Sequence, residues 1–90
     1  MIYLDNAATT KVMPIAAEGV ITGMTECFGN PSSLHSVGVK AQEAVDSARK
    51  AVLSSLLPAG KRGKSEQVIF TSGGTEANNL AIIGTATAKP

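Results

Sequence analysis

The stretch Phe70–Gly84, FTSGGTEANNLAIIG, decides how this chain is organised. It begins inside the short apolar run Gln67–Thr71, which is typical of a strand covered on both faces. Two glycines and Thr75 follow, and the apolar-rich residues after them predict a helix from Gly74 to about Ala86. A buried strand is therefore expected to pass into a helix through Ser-Gly-Gly-Thr.

The start of this helix allows two interpretations. The first N–H groups of a helix have no partner within it and carry partial positive charge, while glycines admit close approach of a ligand and positive φ. With the Thr75 hydroxyl as a further donor, the turn predicts a phosphate-binding site. The alternative is a tight turn in which Ser72 or Thr75 caps the helix. In that case Glu76 merely interacts favourably with the helix dipole. Neither the Walker A pattern nor G-x-G-x-x-G is present here.

The composition narrows the class of protein. With 90 residues the chain would make one small domain, and such a domain buries only ~60% of the surface that its unfolded form exposes. A net charge of +1 argues against nucleic acid and membrane surfaces as partners. Cys27 is the only cysteine, so neither an internal disulfide nor a zinc cluster is expected. Without a signal-peptide pattern at the N-terminus, we expect a cytoplasmic protein.

Two more helices are predicted before the opening stretch. Pro14 suits the first turn of a helix, and an apolar residue then recurs every four positions, at Ala16, Val20, Met24 and Phe28. The strongest period in the chain predicts a long helix from about Val37 to Leu57. Its apolar stripe comprises Ala41, Val45, Ala48, Val52 and Leu56. The basic, glycine-rich stretch Pro58–Glu66 after it predicts a surface loop.

A single predicted strand cannot make a sheet. The strand Val68–Thr71 and its helix should lead to a second, parallel strand, which these residues do not contain. The backbone N–H and C=O groups on both edges of the strand Val68–Thr71 would be unpaired, and they need partners. The sequence is therefore typical of the opening of a larger α/β protein, and we expect its ordered form to depend on contacts with further polypeptide.

Three motifs carry a resemblance to a known family. The motifs are YLDNAATT (Tyr3–Thr10), FGNPSSLHSVG (Phe28–Gly38) and IFTSGGTEANNLAI (Ile69–Ile82), with AVDSAR in the long helix between the last two. In this order and spacing the chain resembles the N-terminal region of cysteine desulfurases, pyridoxal-phosphate enzymes of the class V aminotransferase group. The resemblance covers nearly the whole chain and is weakest at Gly60–Lys64.

The resemblance implies an α/β fold of the pyridoxal-phosphate fold type I, with a mostly parallel sheet in a large domain and a homodimeric assembly. Residues 1–36 would form an N-terminal segment with a short helix and a loop near the active site. Residues 37–90 would open the large domain, whose remainder lies beyond the chain. The Gly-Thr of the family's turn, which binds the cofactor phosphate, corresponds to Gly74 and Thr75.

The implied reaction removes sulfur from L-cysteine and leaves L-alanine and an enzyme persulfide. The sulfur then passes to an acceptor protein for iron–sulfur cluster assembly or thio-modification. The family's Schiff-base lysine and persulfide cysteine are both expected beyond residue 90. The 90 residues are therefore predicted to contain no catalytic residue and to be inactive alone.

Five other residues are weaker candidates. Asn6, Ala7 and Ala8 are predicted to line the substrate side through their backbone. His35 is either a site residue or has a capping or loop-packing role before the long helix. Cys27 is placed on the first helix and interpreted as a small buried thiol rather than as a sulfur acceptor.

Two alternatives to a desulfurase remain open at this point. One is another class V enzyme, such as a selenocysteine lyase or an aminotransferase. The other is a non-catalytic module that binds phosphate or a partner protein.

Overall fold

Three helices account for the regular structure of the described residues. A computed structural model describes residues 1–57 and 67–88. Within them lie α1 (Pro14–Thr25), α2 (Ser36–Leu56) and α3 (Gly74–Ala88). The chain divides into two compact units, Met1–Ala48 and Arg49–Pro90, with the boundary inside α2. The loop predicted at Pro58–Glu66 lies outside the described residues, and the division predicted at residue 36 stays a prediction.

Helix α1 begins as predicted at Pro14, whose missing N–H would have had no partner in a first turn. The preceding Met13 is extended (φ −65°, ψ 141°) and provides no side-chain cap. The apolar stripe predicted for this helix is only partly right. Val20 and Met24 are 58% and 65% exposed, and Phe28 lies beyond the last helical residue.

Helix α2 agrees with the prediction to within one residue at each end. Its buried residues are Gly38 and Ala41, and among the residues that the structure describes no others are buried. A Cβ on Gly38 would lie 2.5 Å from the carbonyl oxygen of Ser33 and 2.7 Å from that of Asn30. Because no side chain fits there, glycine allows the preceding loop to pack directly on the first turn of α2.

The predicted strand at Val68–Thr71 is not formed. No strand occurs anywhere in residues 1–57 and 67–88, and Ile69 and Phe70 are 62% and 49% exposed. The strand and its sheet are therefore not seen in the described residues, and their burial by further polypeptide stays a prediction. The physical reason is that a strand is stabilised by backbone hydrogen bonds to a neighbouring strand. Phe70 instead has the Arg49 guanidinium 5.4 Å from its ring centroid, a cation–π contact within the second unit.

Helix α3 starts at Gly74 as predicted and continues two residues past the expected end. All of its residues are exposed, including Leu80, Ile82 and Ile83. Across the part of the chain that the structure describes, no helix has the length and apolar character that crossing a bilayer demands. The helices are thus correctly predicted, whereas the apolar faces of α1 and α3 lack the burial that would stabilise them.

We predict that purified residues 1–90 show no sharp cooperative unfolding transition. Two small buried residues, Gly38 and Ala41, remove very little apolar surface from water. Such a chain should unfold gradually in urea or associate through its exposed apolar residues. Denaturation followed by circular dichroism, with sedimentation at micromolar concentration, measures both. A compact monomer with a steep transition would contradict the expectation.

Candidate functional site

The turn that leads into α3 is held by hydrogen bonds on both sides of Gly73. The Thr71 hydroxyl donates to the Gly73 carbonyl oxygen at 3.0 Å. The same oxygen accepts the Ala77 N–H at 3.1 Å, the first bond of the helix. Gly73 therefore occupies the N-cap position, and Gly74 is the first helical residue.

Glu76, in the first turn of α3, reaches back across this turn. One of its carboxylate oxygens accepts the Ser72 hydroxyl at 2.5 Å and the Ser72 N–H at 3.2 Å. These two bonds, the hydroxyl's first, lower the pKa of the Glu76 carboxyl below its usual value of 4.5. The carboxylate is the form that accepts both bonds, so Glu76 is ionised at neutral pH.

This arrangement corrects the predicted cap. The sequence suggested that Ser72 or Thr75 caps the helix, but the Ser72 hydroxyl donates to Glu76 and the N-cap residue is Gly73. The contact resembles half of a capping box, except that Glu76, at the third helical position, accepts the N–H of Ser72 rather than that of the N-cap Gly73. The sequence signal for the contact with Ser72 is Glu76 itself, for which the sequence predicts only a favourable interaction with the helix dipole.

The first turn of α3 presents several donors to solvent. By helix geometry the N–H groups of Gly74, Thr75 and Glu76 precede the first intrahelical bond, and the helix dipole adds partial positive charge. The Thr75 carbonyl oxygen accepts the Asn79 side-chain amide at 2.8 Å. The Thr75 hydroxyl makes no hydrogen bond to the residues that the structure describes. Two backbone N–H groups and one hydroxyl of Gly74 and Thr75 therefore suit the oxygens of an anion.

Of the two properties predicted for the glycines of the turn, positive φ and an open backbone, the structure has only the second. No glycine in the described part of the chain has a positive φ, so Gly73 and Gly74 do not serve a left-handed conformation. A Cβ added to either would meet nothing within 4 Å. Their missing side chains leave the N-terminal end of α3 uncovered. The donor set and the open backbone together fit a phosphate group.

The candidates Asn6, Ala7 and Ala8 form a turn in the first unit. It is closed by the Ala8 N–H, which donates to the Asp5 carbonyl oxygen at 3.1 Å. The Tyr3 hydroxyl lies 3.0 Å from the carbonyl oxygens of Asp5 and Thr9 and braces both ends of the turn. All three candidates are exposed, and their role toward a substrate stays a prediction.

His35 caps the start of α2, which is one of the two roles predicted for it. Its Nδ1 accepts the Gly38 N–H at 3.2 Å, and its carbonyl oxygen accepts the Val39 N–H at 3.0 Å. Because Nδ1 is an acceptor, the neutral ring carries its proton on Nε2. The capping role is thus confirmed, and a role of His35 in an active site stays a prediction.

Cys27 lies two residues past the end of α1 and is only partly buried. The predicted position on the first helix is therefore wrong, and the thiol predicted to be buried is only partly so. Its N–H donates to the Thr22 carbonyl oxygen at 3.1 Å, which places it in the turn that ends the helix. Within residues 1–57 and 67–88 no group of His, Cys, Asp and Glu is arranged to hold a metal ion.

The donors in the first turn of α3 suit a phosphate group, as helix N-termini do in many proteins that bind phosphate-bearing ligands. Residues 2–90 match the family described as Aminotransferase class-V. The chain belongs to this family, whose members are generally pyridoxal-phosphate enzymes of fold type I. The predicted fold class is confirmed to this level, while its parallel sheet is not seen in the described residues.

Several named proteins are similar to this chain, and most of them are called cysteine desulfurases. The chain is 48% identical to a NifS/IcsS protein homolog of Lactobacillus delbrueckii subsp. bulgaricus over 99% of its length. It is 47% identical to a putative cysteine desulfurase IscS 1 of Bacillus subtilis over 98%, and 46% identical to a cysteine desulfurase of Cereibacter sphaeroides over 99%. The resemblance to the N-terminal part of cysteine desulfurases is confirmed. The chain spans 22% of the length of each of these relatives, and no solved structure matches it.

We predict that the Ser72 amide proton senses the titration of Glu76 with a midpoint below pH 4.5. Since the hydrogen bonds lower the pKa in the folded chain, their stabilising contribution is complete above 4.5. It is lost as the pH falls through the lowered pKa. Two-dimensional NMR of isotope-labelled protein measures the midpoint, and Glu76→Gln is the control that should abolish the titration. A midpoint at or above 4.5 would show that the tie to Ser72 is absent in solution.

Proposed function

We propose that the chain is the N-terminal part of a pyridoxal-phosphate-dependent cysteine desulfurase, in which α3 holds the cofactor phosphate. The protein would convert L-cysteine into L-alanine and an enzyme persulfide, and would pass the sulfur to an acceptor protein. Iron–sulfur cluster assembly and thio-modification are the uses that such sulfur serves. The observation that carries the proposal is the uncovered first turn of α3, in a chain 46% identical to a cysteine desulfurase over 99% of its length.

The residues of this chain would act by binding rather than by chemistry. The N–H groups of Gly74 and Thr75 and the Thr75 hydroxyl would hold the phosphate, whose negative charge the α3 dipole favours. When bound, the cofactor supplies an electron sink for bond cleavage at the substrate amino acid. The chain's share is to fix one end of that cofactor, so that its reactive end is presented to residues outside these 90.

Further polypeptide in the longer protein would supply the packing that the described residues lack. In the longer protein, Val68–Thr71 would form a strand of the mostly parallel sheet, and the exposed faces of α1 and α3 would be covered. Ile69 and Phe70 are both apolar and are 62% and 49% exposed here, which supports this placement. We further propose a cytoplasmic homodimer. Its net charge of +1 over these residues favours neither nucleic acid nor a membrane as partner.

An assay of the full-length protein with L-cysteine tests the activity. Equal release of L-alanine and of reducible sulfur, dependent on pyridoxal phosphate, is the expected result. Preference for selenocysteine, or amino transfer to a keto acid, would instead indicate another class V reaction. Folding and phosphate binding without any turnover would favour the non-catalytic module.

Thr75→Val should weaken pyridoxal phosphate binding by roughly tenfold to a hundredfold, because valine keeps the shape of threonine and removes one donor to a dianion. The cofactor dissociation constant of the full-length protein measures the loss. Thr85→Val makes the same change nearly three turns further along α3, where it should leave binding unchanged. Equal affinity in both variants would mean that α3 does not hold the phosphate.

Gly74→Ala tests whether this glycine serves the ligand rather than the fold. The added Cβ meets nothing within 4 Å and alanine favours a helix over glycine, so the full-length variant should be at least as stable as its parent in urea unfolding. It should nevertheless bind pyridoxal phosphate at least about tenfold more weakly, since a methyl group would stand where the backbone approaches the phosphate. Gly84→Ala, equally open but far from the turn, is the matched control. If Gly74→Ala lowered the stability and left the affinity for pyridoxal phosphate unchanged, the glycine would serve the fold and not the ligand.

A further inference from the structure

The Glu76 carboxylate stands next to the proposed phosphate site, although its charge has the same sign as the ligand's. It lies in the first turn of α3 and accepts both the hydroxyl and the N–H of Ser72. The dipole of α3 favours an acid in its first turn, but a phosphate bound at the same turn would repel it. A carboxylate in this position therefore needs a reason that outweighs its repulsion of a phosphate.

We propose that Glu76 is a positioning residue for the cofactor phosphate: by tying Ser72 to the first turn of α3, it holds the donors of Gly74 and Thr75 in place. The inference rests on the proposed function, since it concerns the same phosphate site. It assigns Glu76 no contact with the cofactor. Its two hydrogen bonds are both directed to residue 72, on the other side of the glycines.

The two glycines explain why such a tie is needed. Glycine loses more conformational freedom on ordering than any other residue, and Gly73 and Gly74 have no side chains that pack on the described residues. The Glu76–Ser72 bonds close a loop around them, and the Thr71 hydroxyl holds the Gly73 carbonyl from the other side. Ordering one backbone residue corresponds to roughly a fivefold to thirtyfold change in an equilibrium constant. If the turn is ordered before the phosphate binds, that factor is gained in affinity.

The repulsion between Glu76 and the phosphate is the smaller effect. The carboxylate is fully exposed, where ionic strength and water screen charges strongly. Its charge also strengthens the two bonds from Ser72, and these bonds lower its pKa, so the tie is complete at neutral pH. The net result expected of Glu76 is tighter binding of the phosphate.

Affinities of the full-length protein for pyridoxal phosphate and for pyridoxal, which lacks the phosphate, test this role. Glu76→Ala should weaken pyridoxal phosphate binding roughly fivefold to thirtyfold and leave pyridoxal binding unchanged. Glu76→Gln keeps an oxygen that accepts from Ser72 and should restore the affinity to within about threefold of the parent. Glu43→Ala, which removes an exposed acid from α2, is the control and should change neither affinity.

A double-mutant cycle identifies the route of the effect. Ser72→Ala removes the hydroxyl donor, so it should weaken binding by itself, and adding it to Glu76→Ala should cause little further loss. Amide hydrogen exchange at Gly74 and Thr75 in the cofactor-free protein should be faster in Glu76→Ala than in the parent. This second readout reports the order of the turn without requiring catalysis.

The outcomes separate the inference from the function on which it rests. Tighter binding in both Glu76→Ala and Glu76→Gln would show that repulsion dominates, and it would overturn the positioning role. Unchanged binding in Glu76→Ala, or additive losses with Ser72→Ala, would do the same. If the parent binds pyridoxal phosphate no more tightly than pyridoxal, the phosphate site itself fails, and the inference fails with it.

Discussion

Hydrogen bonds at helix starts hold much of the local order in the described residues. Gly38 and Ala41 are the buried residues there, so apolar burial contributes little. Instead the His35 ring accepts an N–H at the start of α2, and Glu76 ties Ser72 to the start of α3. A helix has four unpaired N–H groups at its start, and each must find a partner in the loop, in water or in a ligand. At α2 the loop provides the partner, whereas at α3 the donors of the first turn face solvent.

The helices were predictable because the information that specifies them is local. Apolar residues at helical spacing, Pro14 before the first helix and the loop before the second all lie within a few residues of the helices they determine. The strand at Val68–Thr71 depends on neighbours that are distant in sequence or absent from these residues. Its apolar character correctly indicates that it needs cover, and the exposed Ile69 and Phe70 show that the described chain does not provide it.

The candidate site was predictable in its position and less so in its details. Strand-like residues, two glycines and a helix start located the turn, and Gly74 and Thr75 form the first turn of α3 as expected. The direction of the Ser72 hydroxyl was not predictable, since a serine before a helix donates or accepts according to which rotamer its neighbours favour. The glycines were expected to allow positive φ, yet neither Gly73 nor Gly74 has one.

The contrast between two glycines shows how a structural requirement differs from a functional one. At Gly38 the reason for glycine is internal, because a Cβ would lie 2.5 Å from the Ser33 carbonyl oxygen. At Gly74 nothing within 4 Å would oppose a side chain, and φ is not positive. Glycine at the start of a helix lowers its stability relative to alanine. The described chain therefore imposes no requirement for glycine at residue 74, and an open backbone at this position agrees with the proposed approach of a phosphate to the first turn of α3.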